Sequence, residues 1–302
     1  MHPEFLNTLK TRQLLKHVFR TLSGILFLFS ATAKLIGIDA FELYLFGFGW
    51  FPLATAFLLA RMVIAAEYTL GILLTANFAP RLAGWCSAAV LAGFSGFLLW
   101  LILTGEHGNC NCFGELVQMN PVQSLLKNMA MLGMLALSAG ARPFPLPRKT
   151  LLTVLAVILP LAAVLIISPP DNWRYEAYSG AGVHEAALRE AAADGTLPRS
   201  VTEGEHIVCF FSLRCEYCKL SARKLTTLRE RGEFSQAPVI AIIGRGEDTD
   251  ITPFLEETGF RPDEVHFLDP ALFLRITRGT MPLILIMQDT TPVRQFNYRD
   301  LH

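Results

Sequence analysis

LAGWCSAAVLAGFSGFLLWLILT, residues 82–104, runs for 23 residues without a charge. As a helix it would be about 35 Å long, enough to cross a hydrocarbon core of about 30 Å. Comparable apolar runs lie around it, at Thr21 to Ile38, Pro52 to Asn77, Pro121 to Ala141 and Thr150 to Ser168. The first half of the chain therefore predicts an α-helical membrane bundle of about five transmembrane helices. Four basic residues precede the first run and no small-residue cleavage site follows it, so it reads as a span rather than a cleaved signal peptide. In the third span Gly84, Gly93 and Gly96 are expected to permit close helix contact, and Cys86, beside Trp85, to be a small packing residue.

Over all 302 residues, 52% are hydrophobic, 17% are charged and mean hydropathy is +0.40. That is too apolar for a soluble globule and excludes disorder. The 26 basic and 26 acidic residues cancel, which excludes a basic nucleic-acid footprint; no nucleic-acid partner is expected. The charges are unevenly spread, however. Before Asp171 there are eleven Lys/Arg against six Asp/Glu, and from Asp171 onward fifteen against twenty. Two domains follow, a membrane domain over residues 1–170 and a second over residues 171–302.

Eight basic residues occupy the N-terminal arm, the turn after the second span and the loop after the fourth, against none in Asp39 to Phe51 and Gly105 to Asn120. By the positive-inside rule the N-terminus is cytoplasmic, and five crossings leave the second domain outside. The expected location is the cytoplasmic (inner) membrane with a periplasmic C-terminal domain, and the bilayer is one partner. Both close cysteine pairs, Cys110/Cys112 and Cys215/Cys218, then share an oxidising compartment.

Ionisable groups inside a membrane cost about 2.5 to 3.5 kcal/mol on insertion scales and usually face the bundle interior. Lys34, Arg61 and Lys127 are expected near the outer surface, beneath the Cys110/Cys112 loop, with Glu67 deeper and paired to a cation. Arg61 and Lys127 could instead snorkel to the interface. These four residues are the candidates for binding a membrane cofactor, a quinone.

Cys110-Asn111-Cys112 would close a small strained disulfide ring that exchanges readily. A metal site would need more ligands, and only His107 is near, so no metal is expected. The run Ser23 to Ser30, Lys34-Leu35, Pro52, Glu67 with Gly71, and Cys110-Asn111-Cys112-Phe113-Gly114 resembles the MauE family of methylamine-utilisation membrane proteins, related to DoxX. The resemblance covers about the first half of the chain. It implies disulfide chemistry at the outer face with a thioredoxin-like partner, and says nothing of methylamine use here.

Beyond Pro170 the periodicity changes. A helical stretch at Val183 to Ala193 leads to an apolar run, Ile207 to Phe211, then Cys215-Glu216-Tyr217-Cys218 and a basic amphipathic stretch to Arg231. Strands are expected at Val239 to Gly244, Val265 to Leu268, Leu283 to Ile286 and Pro292 to Tyr298, with a helix at Pro253 to Thr258. Strand, Cys-x-x-Cys, helix resembles a thioredoxin-fold domain. The helix N-terminus would favour a Cys215 thiolate, with Cys218 one turn on as the resolving thiol. Pro282, after Thr280-Met281, matches that family's cis-proline. Two departures stand out: Cys209 occupies the place of the family's usual buried acid, and the final helix is absent or displaced.

Together these readings predict a thiol–disulfide oxidoreductase. Electrons from periplasmic dithiol proteins would enter at Cys215/Cys218, pass to Cys110/Cys112 and leave to a membrane acceptor. Flow in the opposite, reductive direction and a non-catalytic thioredoxin-like chaperone are the alternatives.

Overall fold

A computed structural model describes residues 3–77, 79–105, 110–144, 148–169, 182–245 and 250–301, with side chains from residue 11 onward except that of residue 115. The chain divides into two compact units, Met1–Pro170 and Asp171–His302.

The first unit is helical: α1 (Pro3–Ile36), α2 (Ile38–Gly47), α3 (Leu53–Ala76), α4 (Pro80–Leu103), a short strand β1 (Cys112–Glu115), α5 (Pro121–Leu137) and α6 (Lys149–Ile167). Among the described residues four helices are long and apolar enough to cross a membrane: Thr11–Ile36 within α1, and α3, α4 and α6. The fourth expected span is α5, of 17 residues. It starts at a capping box in which Asn120 accepts the Gln123 N–H and Gln123 accepts the Asn120 N–H. Contacts at its two ends show that it runs the length of the bundle. Ser124 meets Cys110 near its start, and Leu135 and Ser138 near its finish line a cavity with Arg20 and Pro80.

The stretch from Asp39 to Phe51, expected to be a loop, is largely the helix α2. Ile38, Ala40, Phe41, Leu43 and Phe46 are buried, so its apolar face packs into the bundle although ten residues are too few to span. Close helix contact also falls elsewhere than expected. An added Cβ at Gly93 or Gly96 would meet nothing within 4 Å, whereas at Gly24 it would sit 2.9 Å from the Gly71 carbonyl and at Gly71 2.7 Å from Leu28. Bare backbones at Gly24 and Gly71 let α1 and α3 cross closely. Cys86 is exposed on α4 and is not packed inside.

The second unit contains α7 (Glu185–Ala193), a 3₁₀ turn (Arg199–Val201), β2 (Glu205–Phe211), α8 (Glu216–Glu230), β3 (Val239–Gly244), α9 (Thr252–Thr258), β4 (Glu264–Leu268), α10 (Pro270–Thr277), β5 (Leu283–Gln288) and β6 (Thr291–Phe296). Its sheet order is β4-β3-β2-β5-β6. β2 pairs parallel with β3 and β3 with β4, while β5 runs antiparallel to both β2 and β6. Parallel neighbours need a crossover helix, which α8 and α9 supply. The helix α10, unforeseen in the sequence, begins where Asp269 accepts the Ala271 and Leu272 N–H groups ahead of Pro270.

β2 is buried on both faces because the sheet is a middle layer. Val208 and Phe210 pack with Ala187, Leu188 and Phe273 on one face. Alternate residues point the other way, and there Phe211 meets Phe254 and Phe260 at ring distances of 6.0 and 5.6 Å. The protein is thus a helical membrane part followed by a thioredoxin-like α/β domain.

Candidate functional site

Each unit holds one cysteine pair. In the second, β2 ends at Phe211 and the chain turns so that Cys215 becomes the N-cap of α8. Cys215 Sγ accepts the Cys218 N–H at 3.3 Å, and Cys218 Sγ accepts the Ser212 N–H at 3.5 Å. The Cys218 thiol lowers the Cys215 pKa from its ordinary value to about 6, helped by the Cys218 and Tyr217 N–H groups against the opposing effect of burial. Burial, and the bond it gives to Cys215, push Cys218 up. Cys215 is half-buried and Cys218 fully buried. One ready thiolate thus lies toward solvent and one protonated thiol behind it, the division that attack and resolution need.

The Met281–Pro282 peptide is cis. Since Phe210 pairs with Leu283, Pro282 lies at the end of β2 from which the chain leads to Cys215. Cys209, in the middle of β2, is fully buried, and burial pushes its thiol well up. It is a protonated strand thiol, unable to accept protons as a buried carboxylate would. Sequence reasoning missed Lys224, whose amino group is buried beneath α8, donates to the Tyr298 carbonyl at 3.0 Å and lies 5.1 Å from the Tyr298 ring. Its signal was a lysine four positions from both Leu220 and Leu228, on the inner face of an amphipathic helix.

In the first unit the Cys110 and Cys112 Sγ atoms are 2.6 Å apart, and Cys110 Sγ is 2.8 Å from Ser124 Oγ. Both cysteines are buried. The Cys112 thiol, joined by Ser124 and the charge of Lys127, lowers Cys110 to about 6 against the effect of burial, and Cys112 is pushed up by its bond to Cys110 and by burial. The loop is seated on α1. Gly114, at φ +57, brings its Cα so close to α1 that a Cβ would lie 2.7 Å from the Ala33 carbonyl. Only glycine suits both constraints. Phe113 packs on Phe29 at 5.3 Å, with Lys127 Nζ 4.4 Å from the ring centre on its own side. His107, Gly108 and Asn109 lie outside the described residues.

The intramembrane charges divide into two sets. Lys34 pairs with Glu67 at 2.7 Å and donates to Ser30 Oγ at 2.7 Å. The Ser30 hydroxyl in turn lies 2.9 Å from the Cys112 carbonyl and 3.1 Å from Glu67, so one proton is shared between a buried ion pair and the cysteine loop. Arg61 is buried and does not snorkel. It pairs with Glu42 of α2 and donates to the Phe57, Ser168 and Pro169 carbonyls at 2.8, 2.9 and 3.0 Å. Lys34 and Lys127 gather at the loop; Arg61 ties α3 to α2 and to the end of α6 instead. Of the four residues proposed to hold a cofactor, three are thus joined to carboxylates or are one. Lys127 has no carboxylate partner among the described residues. An apolar cavity of about 520 Å³ lined by Tyr68, Leu152 and Pro160 includes none of the four.

Ser30 and Ser124 were also missed. Ser30 precedes Lys34 by one helical turn and Ser124 precedes Lys127 by three residues, so each shares a face with a cation already singled out.

The Cys110/Cys112 loop and the Lys34–Glu67 pair beneath it lie within the region that comparison with known proteins recognises. Residues 12–141 match the family model of methylamine utilisation protein MauE. The match spans α1 to the end of α5 and stops before the second unit. Over 306 aligned residues the chain is 27% identical to Protein TlpB of Flavobacterium psychrophilum, covering 81% of this chain and 80% of that protein. That similarity extends beyond the MauE region into the α/β domain. No solved structure matches the chain.

Proposed function

We propose that the protein is a membrane-bound thiol–disulfide oxidoreductase whose two cysteine pairs work in series. The observation that carries this reading is their shared asymmetry. In each, one thiol is drawn down to about 6 and its neighbour is held protonated.

A client thiolate attacks Cys215 of the Cys215–Cys218 disulfide: a client–Cys215 bond forms, the Cys218 thiolate leaves, and the client's second thiol displaces Cys215 as the client disulfide closes. Two electrons and two protons now reside on Cys215 and Cys218. Exchange with a Cys110–Cys112 disulfide returns the first pair to its oxidised form and reduces the second. A membrane acceptor of two electrons and two protons, of the quinone class, completes the turnover, and Lys127 lies at the loop without a carboxylate partner among the described residues. The two units are joined in one chain, which raises the effective concentration of one pair at the other to about millimolar where contact is possible. Clients would be periplasmic thiol proteins, with the N-terminus in the cytoplasm and the α/β domain outside.

The test is oxidation of a reduced dithiol peptide by membranes containing the full chain. Cys215→Ser and Cys112→Ser should each abolish turnover, and Cys218→Ser, offered the client as its disulfide, should accumulate client–Cys215 disulfides as the Cys215 thiolate displaces one client thiolate. With oxidised glutathione to take up the two electrons, a Cys218→Ser/Cys112→Ser chain should form an intramolecular Cys215–Cys110 bond. Turnover that survives Cys112→Ser would refute the series arrangement, and trapping by Cys215→Ser in place of Cys218→Ser would reverse the roles within the pair.

A further inference from the structure

Arg20 is a buried guanidinium at the end of the bundle opposite the cysteine loop. It is 3% exposed, donates to the Pro80 carbonyl, and its Nε–H finds no acceptor among the described residues. A buried cation without a carboxylate is costly unless an anion comes to it. Arg20 lines a cavity of about 900 Å³ whose other charged walls are Arg81, Arg142 and Lys149. No carboxylate lines it, and none of the four cations forms an ion pair among the described residues. A fifth, Lys16, reaches the cavity wall, its Nζ 3.4 Å from where a Cβ on Gly140 would be.

The remaining walls are apolar, from Leu82, Trp85 and Ala88 on α4 and Leu132 and Leu135 on α5. Trp85 is 79% exposed. A tryptophan presented outward within the first turns of a membrane helix marks the boundary between hydrocarbon and headgroups. A cation-rich rim above an apolar, outward-facing wall matches the two halves of one molecule, a phosphate with acyl chains beneath it.

We propose that this cavity binds an anionic glycerophospholipid, its phosphate between Arg20, Arg142 and Lys149 and its acyl chains along Leu82 and Trp85. Arg20 supplies the unpaired N–H at the base, and the exposed Arg142 and Lys149 close over the headgroup. A soluble phosphate would satisfy the cations but leave Leu82 and Trp85 uncovered, which is why the lipid is the occupant argued for. Basic pockets between membrane helices bind acidic lipids in this way, each cation contributing about fivefold to affinity.

The full chain in nanodiscs of phosphatidylcholine, titrated with phosphatidylglycerol, tests the proposal, with native mass spectrometry counting the lipids retained. Wild type should retain phosphatidylglycerol in preference to phosphatidylcholine. Removing two exposed cations, Arg142→Gln with Lys149→Gln, should weaken that preference by about 25-fold. The charge-conserving pair Arg142→Lys with Lys149→Arg should keep it, which separates lost charge from a disturbed loop. Equal retention of the two lipids, unchanged preference in the double glutamine variant, or displacement of the lipid by glycerol phosphate would each overturn the assignment.

Discussion

Replacing Cys218 by Ala should move the reactivity of Cys215 along the pH axis by an amount that separates two sources of its acidity. In the intact pair the Cys218 thiol is the largest influence lowering Cys215, and the Cys218 and Tyr217 N–H groups at the start of α8 come after it. With a pKa of about 6, about nine-tenths of Cys215 is thiolate at pH 7, against about 3% for a thiol at the usual 8.5. Nucleophilicity falls as pKa falls, with a Brønsted slope of about 0.4 to 0.5. The plateau rate should therefore be about tenfold below that of an ordinary thiolate, and the net advantage at pH 7 only about threefold. The midpoint is the sharper observable.

Iodoacetamide labelling of the reduced chain, read by mass spectrometry with fragmentation to separate Cys215 from Cys218, should give a midpoint near 6 in the wild type. In Cys218→Ala it should rise by about a unit, because the two N–H groups and the helix end remain while the thiol donor is gone. A midpoint that stays near 6 without Cys218 would show that the helix terminus alone sets the acidity. A wild-type midpoint above 8 would remove the attacking role assigned to Cys215.

The same shift fixes the pH dependence of the Cys215/Cys218 couple. A lowered thiol favours the reduced form above its folded pKa and loses that effect as pH falls through it. The potential should therefore fall by about 59 mV per pH unit below pH 6, where two protons accompany two electrons, and by about 30 mV per unit above it, where the raised Cys218 still holds its proton; equilibration with glutathione buffers measures it. Glu42→Gln should destabilise the membrane unit by about 3 to 5 kcal/mol by leaving Arg61 buried without its carboxylate. Glu42→Leu with Arg61→Met should recover much of that loss in a detergent melt. Gly24→Ala would place a Cβ 2.3 Å from Thr75 Oγ1 and 2.9 Å from the Gly71 carbonyl, costing about 1 to 3 kcal/mol. Gly93→Ala and Gly96→Ala should change the melt by less than about 0.5 kcal/mol.

What could be read from the sequence was what has a strict local signature. The uncharged run at 82–104 announces a spanning helix because no soluble context tolerates it, and the Cys215 to Cys218 spacing after an apolar strand places both thiols at one helix terminus. The partners of the intramembrane charges were less accessible. The sequence predicts a cation for Glu67 but does not say that it is Lys34, and Glu42 sits in a stretch too short to span, which reads as a loop. An arginine at that depth requires a carboxylate, and Glu42 and Asp39 are the acidic residues of the adjoining segment. The helical crossing was misplaced for a related reason. Gly93 and Gly96 are small residues on an apolar span, but which face of a membrane helix meets a neighbour is a tertiary property, and here Gly24 and Gly71 meet.

The two cysteine pairs reach the same asymmetry by different means, and the difference bears on how they could exchange. Cys215 caps a helix and is half-buried, so a client can approach it as it stands. Cys110 caps no helix; its acidity comes from Cys112, Ser124 and Lys127, and it is buried with its partner beside Leu98 and Leu101 of α4. Exchange at that pair therefore requires the loop to lift. Lifting would break the Ser30–Cys112 hydrogen bond and the Phe113 contacts with Phe29 and Lys127. The shared Ser30 proton lowers this cost, because on leaving the Cys112 carbonyl it passes wholly to Glu67 and no buried donor is left unpaired. The polar part of the cost is then about one ordinary hydrogen bond, roughly 0.5 to 1.5 kcal/mol, in place of the larger penalty of an orphaned group, and exposure of the buried Phe113 adds about 1.5 to 3 kcal/mol. The Lys34–Glu67 pair thus makes the loop a seat from which Cys110 can be released.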